Sequence, residues 1–348
     1  MTDHGCEMIR PGSDDPILAA LRGRSVLVTG ARGFIGSALC RALLEAGAEV
    51  HGTTRGEIPQ DEDGEAAPLW WRCDPAVPGE VESLLRLTQP EIIFHMSAAV
   101  TGSRSAEAVL PTLRDNLVST VNILLAAAGR GVERVVLAGS VEAHSAPDEA
   151  PRSPYAASKA AATAYARLFD SLYDMRCVDI RIAMTYGPGQ RDASKLVPYV
   201  IEELRHGRAP HLGNGARLAD WTYVDDIVGA LVHAGVSKAA LGRSIEVGTG
   251  VTHSVRDVVQ KLVDLIDPSV EPVYGALPPR PHELETAVDT RPAWNLLNWV
   301  PRVTLDAGLR RTVEARLGQG LLRRNPRRME WQPIGPRAAL LPPNLLQG

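Results

Sequence analysis

Short apolar blocks recur along the chain, and most are followed by a longer stretch whose apolar positions return every three or four residues. Val26-Leu27-Val28 is the first block, the uninterrupted run expected of a strand buried on both faces. Residues 34–46 then place Ile35, Leu39, Ala42, Leu43 and Ala46 on one helical face. The pattern predicts strands at 25–29, 49–53, 69–72, 91–95, 134–138, 177–182 and 244–247. It predicts helices at 34–46, 79–87, 112–129, 154–173, 195–206, 226–235, 255–266 and 306–317. Such alternation implies an α/β fold, a doubly wound parallel sheet with helices on both faces.

The junction between the first strand and the first long helix is Gly30-Ala31-Arg32-Gly33-Phe34-Ile35-Gly36. Gly30 permits a tight turn, Gly33 lets a diphosphate approach the backbone, and Gly36 lets the helix pack close to the strand. The helix N-terminus offers free N–H groups and a partial positive charge to phosphates. With a strand before it, an amphipathic helix after it and a second strand at 49–53, the turn reads as the dinucleotide fingerprint of a Rossmann-type sheet. The expected organisation is an N-terminal extension at 1–23 with a short helix at 17–21, then a dinucleotide-binding unit at 24–182. Residues 183–317 form a smaller, mainly substrate-binding region with segments returning to the sheet, and 318–348 an extended tail. That tail carries Arg323, Arg324, Arg327 and Arg328, read as a solvated basic patch.

Composition narrows the function classes. A net charge of −4 gives no reason to expect nucleic acid or an anionic membrane surface as partner. Cys6, Cys40, Cys73 and Cys177 are widely spaced, which argues against a disulfide framework or a zinc site and suits a reducing cytoplasm. No apolar run reaches the length of a membrane span, and no metal site is expected.

The second constellation is Ser153-Pro154-Tyr155-Ala156-Ala157-Ser158-Lys159. Ser153 suits a helix cap and Pro154 the first helical position. Tyr155 and Lys159 then lie one turn apart on one face. A tyrosine ionises near pH ~10, and a neighbouring ammonium favours the phenolate. The pair therefore reads as a group able to give or take a proton at a carbinol or ketone. Ser140 follows the strand at 134–138 and can hydrogen-bond the same oxygen.

Together these residues resemble the extended branch of the short-chain dehydrogenase/reductase superfamily, which holds nucleotide-sugar epimerases, dehydratases, decarboxylases and ketoreductases. The resemblance spans roughly residues 25–317. It includes the glycine spacing, Asp74 after the third strand, His95-Met96-Ser97-Ala98-Ala99, and Asn116 with Thr120. It continues through Ser140/Tyr155/Lys159, Tyr186-Gly187-Pro188-Gly189-Gln190, Trp221-Thr222-Tyr223-Val224-Asp225-Asp226, Gly248-Thr249-Gly250 and Trp299-Val300-Pro301. It implies Tyr155 as acid/base, Lys159 lowering its pKa and holding the nicotinamide ribose, and Ser140 on the reacting oxygen. Gly30, Arg32, Gly33, Phe34, Ile35, Gly36, Asp74, Ala98, Ala99 and Asn116 would hold the cofactor, with Asp74 on the adenine. Glu142, Met184 and Arg280 would face the substrate, Arg280 at its diphosphate. A homodimer through the helices at 112–129 and 154–173 is expected, with Leu117, Leu124, Ala160 and Tyr165 as apolar contacts.

The second strand ends in Thr53-Thr54-Arg55, with Thr54 where an NAD-preferring site carries an acid. Arg55, with Arg32, suits a 2′-phosphate, so NADP(H) is favoured; Glu57 keeps NAD(H) open. Three departures bear on the substrate. Val141 replaces the aspartate that 4,6-dehydratases add beside a glutamate at the position of Glu142, which lowers that reading. Met184 replaces a common asparagine, and Ala219 a common arginine, with Arg217 two residues earlier. The sequence reading is an NADP(H)-dependent ketoreductase acting on a nucleotide-activated 4-keto-6-deoxy sugar. The alternatives are a nucleotide-sugar epimerase and, from another class, a non-catalytic dinucleotide sensor.

Overall fold

The computed structural model describes residues 16–59, 67–143, 149–278 and 287–318. The described residues begin with Pro16–Ala19 (α1), then run Ser25–Thr29 (β1), Phe34–Glu45 (α2), Glu49–Thr54 (β2), Leu69–Arg72 (β3), Pro78–Thr88 (α3) and Ile92–His95 (β4). Val109–Thr112 (α4) and Ser119–Ala127 (α5) are joined by a π-helical turn at Leu113–Val118. Arg134–Ser140 (β5), Pro154–Tyr173 (α6), Cys177–Ile182 (β6) and Met184–Tyr186 (β7) follow. Next come Leu196–Arg205 (α7), Leu218–Tyr223 (β8), Val224–Val236 (α8), Ser244–Val247 (β9) and Thr252–Ser254 (β10). Val255–Ile266 (α9), Arg291–Leu297 (α10) and Leu305–Leu317 (α11) complete the elements.

Seven strands form one parallel sheet in the order β3-β2-β1-β4-β5-β6-β9, the doubly wound Rossmann arrangement. The order reverses between β1 and β4, and ligands of such sheets bind at the strand C-termini beside that reversal. Period-two alternation divides the strand side chains between two cores. Val26 and Val28 pack with Leu39, Leu43 and Leu231 of α2 and α8. Leu27 points the other way, with Leu84, Ile123 and Phe169 of α3, α5 and α6. Each such side chain, fully buried, contributes about 1.5–3 kcal/mol. Leu21 joins the first core, so the segment from Pro16 is packed on the sheet.

A third core gathers Tyr186, Val200, Trp221, Leu262 and Leu309 from β7, α7, β8, α9 and α11. Its small sheet has the order β10-β8-β7. These three strands and α10 were not predicted. Two of the strands have only three residues, too few to show a period. The helix expected at 112–129 starts earlier, at Val109, and contains the π turn. Leu124, expected at a subunit interface, is instead fully buried in the core beneath α5.

Candidate active site

The glycine turn is shaped by two contacts. Gly30 has φ +65°, and a Cβ there would lie 2.8 Å from the backbone nitrogen of Ser97. A Cβ on Gly36 would overlap the Gly30 carbonyl, so α2 can pack on the turn only without one. Gly33, the N-cap of α2, makes no side-chain cap hydrogen bond, which leaves the first-turn amides uncapped by the protein. Above this turn opens a cleft of about 350 Å³.

Of the predicted cofactor residues, Gly30, Arg32, Gly33, Thr54, Arg55, Asp74 and Ala98 line the cleft. Thr53, Gly56, Cys73, Pro75, Met96, Ser97, Asp115 and Ser119 line it as well, and the sequence reading assigned them no such role. Phe34, Ile35, Gly36, Ala99, Asn116, Tyr155 and Lys159 lie outside the lining. Asn116 stands behind it with its amide already engaged. Its Oδ1 accepts from Ala99 N at 2.7 Å, and its Nδ2 donates to Ala99 O at 3.2 Å and Ser158 Oγ at 2.9 Å. It therefore ties the loop after β4 to α6.

A charged network closes one end of the cleft. Arg55 Nη1 pairs with Asp115 Oδ2 at 2.8 Å, and Arg114 pairs with both Asp115 and Asp74. Burial pushes the Asp74 carboxyl up, but hydrogen bonds from Arg114 and the Ala76 amide outweigh it and hold the group below the usual range. Arg32 Nη1 donates to Glu57 O at 2.8 Å, so that arginine holds the loop after β2. Asp115 comes from the π turn, a local widening of the kind often found at functional sites.

Behind the cleft floor lies His95, whose ring nitrogens meet Thr29 Oγ1 at 2.8 Å and Ser119 Oγ at 3.3 Å. Burial, and then the charge of Lys159, lower its pKa to about 3, so the ring is neutral. Its tautomer follows from its neighbours. Ser119 spends its proton on Asp115 O at 2.6 Å, so Nε2–H donates to Ser119 and Nδ1 accepts from Thr29. Thr29 in turn accepts from Ser97 N at 3.2 Å. The chain of bonds links two cleft-lining segments.

Outside the lining of this cleft, at the C-terminus of β5 and the start of α6, stand the catalytic candidates. Ser140 is the last residue of β5. Ser153 caps α6 by accepting from Ala156 N at 3.0 Å, which places Tyr155 and Lys159 on its first two turns. All three site residues are buried. Burial pushes the Tyr155 phenol up to about 12, and a hydrogen bond with Ser140 opposes this. The lowering expected from Lys159 is not what dominates here. Lys159 Nζ sits 6.0 Å from the ring centroid and donates to Ala138 O at 2.7 Å, while burial outweighs the remaining influences. Tyr155 is thus a protonated phenol at neutral pH.

Ser140 Oγ also accepts from Glu142 N at 3.2 Å. Glu142 lies 4.0 Å from Arg217 Nη2. Met184, at the start of β7, packs against the third core. Arg280 lies outside the described residues. Among residues that the sequence reading passed over, Asp220 is the most connected. Its buried carboxylate accepts from Thr249 N and Oγ1, Gly250 N, Val288 N and Thr222 Oγ1. It pins the turn after β9 to β8. No sequence period marks it, because its partners lie 2 to 68 positions away. Among the described residues, no group of three His, Cys, Asp or Glu could hold a metal ion, and no helix is long and apolar enough to cross a membrane.

The glycine cradle, the acid beyond β3 and the buried Ser/Tyr/Lys set suit a bound nicotinamide dinucleotide, and known proteins agree. The profile described as "NAD dependent epimerase/dehydratase family" matches residues 26–248. UDP-glucose 4-epimerase of Mycolicibacterium smegmatis is 34% identical over 307 residues, covering 83% of this chain and 97% of that one. A dTDP-glucose 4,6-dehydratase of Streptomyces antibioticus is 29% identical, over 83% and 91%. Among solved structures, the UDP-glucose 4-epimerase of Thermotoga maritima with UDP-glucose superposes with TM-score 0.76 at 26% identity, over 83% and 97%. That of Thermus thermophilus in complex with NAD gives 0.73 at 29%, over 83% and 98%. The chain belongs to the NAD-dependent epimerase/dehydratase family, within the extended short-chain dehydrogenase/reductase superfamily.

Proposed function

We propose that the protein is a nucleotide-sugar 4-epimerase. The carrying observation is the buried contact of Tyr155 with Ser140 at the end of β5, on the same sheet edge as the glycine cleft. A nicotinamide dinucleotide, when bound, supplies reversible hydride transfer at the sugar carbon. Gly30, Gly33, Ala98, Asp74 and the end of β2 would hold it. Ser140 Oγ orients the reacting oxygen. Tyr155, a phenol at rest, must first release its own proton to solvent; its phenolate Oη then takes the proton from that oxygen as the carbinol becomes a ketone, and the phenol so formed returns it on reduction. Lys159 supplies positive charge to the phenolate that exists before the first of those steps and again after the second. The buried surroundings keep water from the oxygen while it is a ketone. The relative at 34% identity, named a UDP-glucose 4-epimerase, favours this reading and a UDP-sugar substrate.

A second reading, net reduction of a 4-keto-6-deoxy sugar with NADPH, is favoured by Thr54 and Arg55 at the end of β2, where neither residue is acidic. Dehydration is disfavoured, because the turn after Ser140 offers one carboxylate, Glu142, and it faces Arg217. Apolar residues exposed on α4, α5 and α6 (Leu110, Leu125, Tyr165, Leu168 and Leu172) support a homodimer through those helices. The unpaired thiols of Cys40, Cys73 and Cys177 support a cytoplasmic setting.

The test is incubation of purified protein with UDP-glucose, followed by NMR. Formation of the 4-epimer without net change in dinucleotide redox state supports the first reading. Stoichiometric NADPH consumption with a 4-keto-6-deoxy sugar nucleotide, and no epimer, replaces it with the second. Dinucleotide binding with neither reaction would leave the sensor.

A further inference from the structure

Of the buried acids that the mechanism does not use, Asp179 is the one nearest the proton-transfer pair along α6. Asp179, on β6, is 4% exposed. Thr163 Oγ1 donates to its Oδ2 at 2.9 Å, and Arg181 Nε reaches the same oxygen at 3.4 Å. Tyr155, Lys159 and Thr163 follow one another at intervals of four along α6, so they form one stripe facing the sheet. Asp179 is docked one turn below Lys159 on that stripe. Strand β5 makes room for it: a Cβ on Gly139 would overlap Asp179 Oδ1. The carbonyl that Lys159 Nζ holds belongs to Ala138, the residue before Gly139. Lysine and carboxylate therefore meet adjacent residues of β5.

We propose that Asp179 is a positioning residue for the proton-transfer pair, its carboxylate holding the Lys159 ammonium in charged form from the space that Gly139 leaves. This rests on the reading of Tyr155 and Lys159 given above. A buried anion is costly unless a cation answers it, and the same holds for the buried lysine. Burial pulls Lys159 down to about 8, and Asp179 pushes it back up. The other groups around the pair do not replace it. His95 on β4 is neutral, and Tyr155 above is a protonated phenol. Arg181 beside Asp179 is a cation, as is Arg243, which lines a small cavity below with Asp170 and the Cys177 thiol. Glu246 stands opposite Arg181 in the register of β6 and β9.

The rival account makes Asp179 only the counter-ion of Arg181, and a titration separates the two. The chain has four lysines, Lys159, Lys195, Lys238 and Lys261, so ¹³Cε-lysine NMR of the cofactor-free full chain resolves each, with Lys159→Arg for assignment. Asp179→Asn keeps the shape and an acceptor for Thr163. It is expected to lower the Lys159 midpoint by about one pH unit or more while the other three lysines hold still. The alkaline limb of kcat should move down with it. Arg181→Met removes a nearby cation and is expected to raise the same midpoint. A folded Asp179→Asn protein whose Lys159 midpoint is unmoved overturns the proposal. Should that variant not fold, an Arg181→Met protein whose midpoint stays or falls overturns it instead. Neither cofactor nor sugar nucleotide enters the titration, so a wrong substrate assignment fails separately, in the epimerisation assay.

Discussion

The two ends of the candidate site are built on opposite principles. At the catalytic end Ser140, Tyr155 and Lys159 are 7%, 9% and 6% exposed. At the other end the side chains of Arg55 and Arg114 are 55% and 47% exposed and answer Asp115 and Asp74. Proton transfer gains from dry surroundings, because low dielectric strengthens every interaction there and burial itself sets the pKa values. Recognition of the far end of a dinucleotide needs only complementary charge, and exposed charge is cheap to rearrange and screened by salt. Under the proposed function, the chemistry falls to the buried end and the choice of cofactor to the exposed end.

The comparison can be broken most forcefully at Tyr155. Tyr155→Phe keeps the ring and removes the proton, so kcat should fall by about 10²–10⁴. Dinucleotide affinity, followed by fluorescence titration, should hold within about twofold. Retained turnover would move the chemistry away from the buried end. The link between the ends comes next. His95→Phe strands the Thr29 and Ser119 hydroxyls, and urea unfolding should show a loss of about 1–3 kcal/mol. Because His95 is neutral down to about pH 3, it should contribute no limb to the pH–rate profile between 5 and 9.

The exposed end answers more gently. Arg55→Ala should weaken NADP(H) about tenfold at low salt and leave NAD(H) unchanged, with the difference shrinking as salt is added. Equal loss for both cofactors would show that Arg55 serves the Asp115 pair alone. The smallest effect belongs to Asp74. Its folded pKa lies below the ordinary value, so its contribution is present above that value and disappears as pH falls through the folded pKa. Asp74→Asn should lower Tm by about 1–2 °C at pH 7 and by nothing measurable in strong acid, as read by scanning calorimetry.

Much of this was legible beforehand, and the reasons are local. The glycine turn, the seven strands of the main sheet and the Tyr155–Lys159 helix each declare themselves within a dozen residues, through spacing or an apolar run. Less visible was whatever depends on contacts between distant segments. Asn116 fits the pattern of a cofactor residue, yet its amide is spent on Ala99 and Ser158. Leu124 fits an interface stripe, but the π turn at Leu113–Val118 changes the phase of the helix and Leu124 faces the core. Asp115 and Asp220 are ordinary acids in sequence and hubs in space.

The sequence by itself determined the parallel sheet, the glycine turn between β1 and α2 and the placing of Tyr155 and Lys159 on one helical face, because backbone geometry and helical period are properties of neighbours along the chain. Only the tertiary structure decided that Tyr155 rests as a protonated phenol, that Lys159 holds Ala138 instead of the phenol, and that Arg55 is answered by Asp115. Those outcomes are set by burial and by charges brought together from separate strands and helices, and a linear order of residues does not contain the distances on which they depend.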